Sequence, residues 1–79
     1  MEAQKQLTER EREVLMHLAY GAADKEIADK LCIVVSTVYT HNKSIYAKLG
    51  VRGRVEAAAY YWRNIHEFMD SVQQARSVF

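Results

Sequence analysis

Proline is absent from this chain, and glycine occurs only at positions 21, 50 and 53. With so few breakers, the backbone reads as a series of helices punctuated at those points. A single cysteine, Cys32, excludes an internal disulfide. The three histidines, His17, His41 and His66, contain no i, i+4 pair that would set two ligands on one helix face, so no metal site is expected. No run of about eighteen apolar residues exists, which excludes a membrane-spanning helix. The opening segment of residues 1–6 lacks the basic-then-apolar layout of a signal peptide, so a soluble, cytoplasmic protein is expected. There is no phosphate-binding glycine loop and no converging set of acid, base and nucleophile. Neither a cofactor nor an enzymatic activity is expected, and Cys32 beside Ile33 reads as a small core residue.

What the chain does contain is enough apolar residue, 49% of 79 positions, to build one small helical domain. The formal net charge is only +1, but its distribution is uneven. Residues 1–29 carry seven acids and four bases, residues 30–55 carry five bases and no acid, and residues 56–79 carry three acids and two bases. The middle third is a positive island, which points toward a polyanionic partner.

Four helices are predicted. Thr8 and Glu11 have the spacing of a capping box, and Val14, Leu15, Leu18 and Ala19 recur at helical spacing behind it, giving a first helix over 9–20 that stops at Gly21. Asp24 is placed to cap a short second helix whose inner face holds Ile27, Ala28 and Leu31. Cys32, Ile33 and Val34 form a tight turn with Ile33 plugging the core, and a third helix follows from about Val35 to Leu49 with Val38, Ile45 and Leu49 inward. A fourth helix begins near Arg54. Its apolar residues Val55, Ala58, Trp62, Ile65, Met69, Val72 and Phe79 alternate in steps of three and four, so it is expected to run to the end of the chain, about 25 residues or roughly 37 Å. One small domain cannot easily cover so long a stripe, and part of it is expected to meet a second copy.

Two helices joined by a turn of three or four residues, with a hydrophobic plug before the second, describe a helix-turn-helix. The first helix braces the second, whose free face then fits a major groove about 12 Å wide. With Val38, Ile45 and Leu49 inward, the opposite face of the third helix presents Ser36, Tyr39, Thr40, Lys43 and Ala47. Among these, Lys43 suits guanine O6 and N7, while Thr40 offers a hydroxyl to a base edge and a methyl to thymine. A flank carrying Thr37, His41, Ser44 and Lys48 supplies donors suited to phosphate oxygens, and Lys25, Lys30, Arg52 and Arg54 would widen that footprint.

The run Leu7-Thr8-Glu9-Arg10-Glu11-Arg12-Glu13-Val14-Leu15 resembles the opening of the LuxR-type (GerE-like) regulators, "LTxRExEVL". Gly21, then Lys25-Glu26-Ile27-Ala28 with Leu31, and Thr37-Val38, His41, Ile45 and Lys48-Leu49-Gly50-Val51 continue the pattern, and Arg54, Glu56 and Ala57 match the start of its fourth helix. The resemblance covers about residues 7–60. It implies an all-α, four-helix helix-turn-helix fold with a family-like core over about 7–63, while the helical extension over 64–79 rests on the apolar spacing alone and lies outside the resemblance. The resemblance further implies a DNA-binding transcriptional regulator whose recognition helix, about 35–49, meets bases through Tyr39, Thr40 and Lys43 and the DNA backbone through Thr37 and His41. Glu11 resembles a family glutamate that ties the first helix to the rest of the fold.

The family's usual partners are double-stranded DNA, as an inverted repeat, and a second copy held through the fourth helix, here by Ala58, Trp62, Ile65 and Met69. A receiver or ligand-binding domain upstream, outside this chain, is a further expectation. Three positions depart from the pattern. Relatives commonly have Ser or Thr at Val34, a polar residue at Val35, and Lys or Arg at Tyr39. These departures leave a second reading open, a protein-interaction module of the same fold that binds another regulator instead of DNA.

Overall fold

The computed structural model describes residues 6–69 and contains four helices: α1 (Glu9–Ala19), α2 (Asp24–Leu31), α3 (Val35–Leu49) and α4 (Arg54–Arg63). The start of α1 is the expected capping box. The Thr8 hydroxyl accepts from the Glu11 amide at 3.0 Å, and Glu11 Oε1 accepts from the Thr8 amide at 2.9 Å. Asp24, expected to cap α2, is instead its first residue. The cap position is Ala23, whose amide donates to Glu26 Oε1 at 2.7 Å, while the Asp24 carboxylate is used in contacts with α3 and α4.

Three helix ends close the same way. After α1, Ala22 N donates to His17 O, after α2 Ile33 N donates to Ala28 O, and after α3 Val51 N donates to Tyr46 O, each at 3.0 Å. Such a closure needs one residue in the left-handed region. Gly21 (φ 97°) and Gly50 (φ 71°) fill that place after α1 and α3, and Cys32 (φ 59°) fills it after α2. Cys32 is therefore an exposed turn residue and not the core residue expected, because the backbone turn carries its side chain outward. Ile33 takes the inward place and packs on the core, as a plug should.

The core draws on every helix. Val14, Leu15 and Leu18 come from α1, Ile27 and Ala28 from α2, Val38 and Ile45 from α3, and Ala57 and Tyr61 from α4. Leu15, Ile27, Ile45, Val14 and Val38 are completely enclosed, each contributing about 1.5–3 kcal/mol of transfer free energy. α1 packs against each of the other three helices, and α3 against α2 and α4, so α3 is braced along one side and free along the other.

The fourth helix is not continuous. It ends at Arg63. Asn64 adopts φ −114°, ψ 33°, with its amide and its side-chain Nδ2 both donating to Tyr60 O at 3.0 Å, and helix resumes over 65–69. The break turns Ile65 and Phe68 back onto the core, where the Phe68 ring lies 4.8 Å from that of Tyr61 and 5.7 Å from the Arg12 guanidinium carbon. Apolar burial against the domain itself outweighs continuation of a straight stripe. The stripe residues Val72 and Phe79, and the expected helical course over 70–79, lie outside the described residues.

Candidate nucleic-acid interface

The free side of α3 holds the residues assigned to it. Ser36, Tyr39, Thr40, Lys43 and Ala47 are all exposed, with Tyr39 61% accessible. Neighbouring side chains already constrain one another. Lys43 Nζ lies 6.0 Å from the centre of the Tyr39 ring, within the outer range of a cation–π contact. The Thr40 hydroxyl donates to Ser36 O at 3.1 Å, so its proton is spent on its own helix, and its methyl and oxygen lone pairs are what it offers outward.

At the start of α3, Val34 is the cap residue and makes no side-chain bond to the first turn. Val34 and Val35 are exposed, 63% and 43% respectively, so this helix end carries two apolar side chains where a side-chain cap would stand. Ser36, the next hydroxyl, does not replace the missing cap.

The flank expected to meet phosphates divides in two. Thr37 and His41 are half-buried, and Lys25 on α2 is exposed. Ser44 and Lys48 face α1 instead. Ser44 Oγ donates to Glu11 Oε2 at 2.7 Å, and Lys48 Nζ donates to Glu11 Oε1 at 2.8 Å. Glu11 is buried and needs those donors to carry its charge. Burial raises its pKa, but the hydrogen bonds from Lys48, Thr8 and Ser44 and the Lys48 charge outweigh that and hold it at about 2.

A second polar junction lies on the other flank. Asp24 Oδ1 accepts from Asn42 Nδ2 at 3.1 Å and from an Arg54 guanidinium nitrogen at 3.1 Å, and the other Arg54 nitrogen donates to Ala22 O at 2.6 Å. It fastens α2, α3 and α4 together. Arg52 pairs with Glu56 at 3.2 Å. Three of the five bases in the positive island, Lys48, Arg52 and Arg54, are thus matched by acids from elsewhere in the chain. Sequence order placed no acid within the island. Glu56 lies one residue beyond its end and reaches Arg52 four positions back, whereas only folding brings Glu11 and Asp24 to it. Asn42 was not picked out from the sequence. Its position on the helical wheel beside Val38 and Leu49 was the available signal.

The residues assigned to a dimer seam occupy different environments. Ala58 and Ile65 are half-buried against the domain's own core, and Met69 is half-buried at the end of the described residues. Trp62 is 45% exposed, with its indole N–H donating to Ala19 O at 3.0 Å and its ring 5.1 Å from that of Tyr20. Val55 is 80% exposed.

Residues 5–61 match the family model of bacterial regulatory proteins of the luxR family, GerE. The chain belongs to the LuxR family. Similar proteins include the transcriptional regulatory protein LnrK of Bacillus subtilis, 56% identical over 54 residues that cover 68% of this chain and 24% of LnrK. The transcriptional regulatory protein LiaR of the same organism is 47% identical over 58 residues, 73% of this chain and 28% of LiaR. The response regulator protein VraR of Staphylococcus aureus is 41% identical over 58 residues, again 73% of this chain and 28% of that protein. The chain spans about a quarter of the length of these curated relatives. As a LuxR-family helix-turn-helix, the domain is of the DNA-binding, transcription-regulating class, a family of regulators and not of enzymes. No helix among its described residues is long and apolar enough to cross a membrane.

Proposed function

We propose that this domain binds double-stranded DNA sequence-specifically, with α3 in the major groove and Tyr39, Thr40 and Lys43 toward base edges. The observation that carries this reading is the free face of α3, in which every one of the five groove candidates is exposed while Val38, Asn42 and Ile45 on the other side are buried. Thr37, His41 and Lys25 are the proposed phosphate contacts. Ser44 and Lys48 leave that set, because reaching a phosphate would strip a buried carboxylate of its partners.

In the same proposal the domain works as a dimer on an inverted repeat, with two copies of α3 about 34 Å apart on successive turns. Ala58, Trp62, Ile65 and Met69 were the seam inferred from spacing. The exposure of Val55 and Trp62 favours the outer face of α4 as its centre, since Ala58 and Ile65 already serve the core. The resemblance to a quarter of longer regulators, one of them a response regulator, supports a receiver domain elsewhere in the full protein.

Retention of duplexes from a random pool at low salt tests the reading. Log affinity is expected to fall linearly with log salt, and Lys43→Ala to weaken binding, with Tyr39→Ala weakening it as well. Unaltered binding in both variants would overturn the assigned face. A second reading, docking onto another regulator, is favoured by the exposed Val34, Val35 and Tyr39. It prevails if no duplex is retained and a protein partner binds in its place.

A further inference from the structure

Val34, Val35 and Tyr39 form an exposed apolar surface at the leading end of α3. Neither valine belongs to the core or to the hydrophobics packed against it. The other helix starts show local polar solutions. Thr8 and Glu11 cap α1, Glu26 takes the first amide at α2, and Glu56 takes the Arg52 amide before α4. At α3 a valine occupies the cap position, and its side chain gives the first turn no hydrogen bond and joins no core contact. A broken local rule without an internal gain marks a surface shaped for something outside the domain.

The chemistry of this surface narrows what that is. Val35, Tyr39 and Lys43 recur every four residues, so they form one rank along the helix. It offers methyl groups, then a ring, then an ammonium group lying over that ring. Beside it, Thr40 has spent its hydroxyl proton on Ser36 O and turns a methyl and lone pairs outward. In helix-turn-helix proteins the first residues of the recognition helix meet base edges. On the major-groove edge the one apolar group is the C5 methyl of thymine.

Building on the duplex binding proposed above, we propose that Val35, flanked by Val34 and Tyr39, is a specificity-determining surface that reads thymine methyl groups. The preferred half-site carries thymine where the start of α3 enters the groove, with an acceptor-rich base such as guanine further along, opposite Lys43. A polar residue at position 34 or 35 would have no such selectivity, since it leaves the thymine methyl facing water or a hydroxyl.

The test uses this chain and duplexes selected by it from a random pool, in which each thymine is replaced in turn by deoxyuridine. Uracil keeps the hydrogen-bonding edge of thymine and lacks only the methyl. At one or two positions per half-site the replacement is expected to weaken binding about fourfold, the worth of one buried methyl group. Val35→Ser is expected to abolish the thymine–uracil difference there while binding the uracil duplex as the parent does. Lys43→Ala is expected to weaken both duplexes alike. Salt-dependent binding that is indifferent to every thymine methyl overturns this inference and leaves the duplex-binding proposal standing, as does a methyl effect unchanged in both Val35→Ser and Val34→Ser. Failure to retain any duplex at low salt overturns both, and loss of a protein partner on Val35→Ser with duplex binding intact assigns the surface to that partner.

Discussion

Lys48 Nζ lies 2.8 Å from Glu11 Oε1, joining the last turn of α3 to the first turn of α1 across 37 positions of sequence. Glu11 also closes the capping box on Thr8 and accepts from Ser44, so one carboxylate fixes where α3 sits relative to the helix that supports it. Removing it would leave Lys48, 22% accessible, without its partner. Glu11→Ala is expected to lower unfolding free energy by about 2–4 kcal/mol, measured by urea titration. A Glu11→Ala, Lys48→Met double variant should recover part of that loss, and an additive result would deny the coupling.

The same carboxylate predicts an acid transition. Its folded pKa of about 2 lies below the ordinary value of 4.5, so in acid the unfolded chain takes up the proton more readily than the folded one. The stabilisation is complete above about pH 4.5 and is lost as pH falls toward 2, amounting to about 3 kcal/mol across that window. Stability measured from pH 6 downward should show this slope, and Lys48→Met should flatten it. An identical slope in the variant would place the acid sensitivity elsewhere.

Arg54 divides its guanidinium between Asp24 Oδ1 at 3.1 Å and Ala22 O at 2.6 Å. A lysine ammonium cannot reproduce that fork. Arg54→Lys is expected to destabilise by about 1 kcal/mol despite keeping the charge, a moderate figure because the pair is partly open to solvent. Thermal unfolding that matches the parent would mean that charge alone suffices.

Two local defects of the helix-turn-helix turn are correctable. Val34→Ser supplies the missing cap of α3 and is expected to raise stability by about 0.5–2 kcal/mol. Cys32→Gly removes a side chain from a left-handed position, φ 59°, and is expected to gain up to about 1 kcal/mol. Both are read by denaturant unfolding, and a loss of stability in either would contradict the local geometry.

Among the described residues, Val55 is the most exposed of the large apolar side chains. If the outer face of α4 forms the dimer seam, Val55→Glu should shift sedimentation from dimer to monomer without lowering the unfolding midpoint. Ile65→Glu would not separate the two effects, since Ile65 packs on the core. A parent chain that sediments as a monomer at high concentration, or a Val55→Glu chain that stays dimeric, would count against that seam.

The bounds of α1, α2 and α3 were legible in the sequence to within a residue because each depends on neighbours in the chain: apolar spacing along the helix, a capping pair before α1, glycine after α1 and α3. The break at Asn64 was not. The three-four stripe from Val55 to Met69 runs straight through it, and only the packing of Ile65 and Phe68 against the domain shows why the helix turns. Cys32 misled for a related reason, since its exposure follows from a backbone angle and not from its polarity.

The free face of α3 was also legible, because periodicity alone puts Tyr39, Thr40 and Lys43 opposite Val38 and Ile45. The charge around that face was not. Ser44 and Lys48 read as phosphate donors until Glu11 arrived from 33 and 37 positions away. By itself, then, the sequence determined the helices, the turn between the second and third, and which side of the third faces outward, since these rest on local spacing and steric rules. Tertiary structure decided which charges remain available, where the last helix bends and which apolar residues stay exposed, since each is settled by atoms that meet only after distant segments pack.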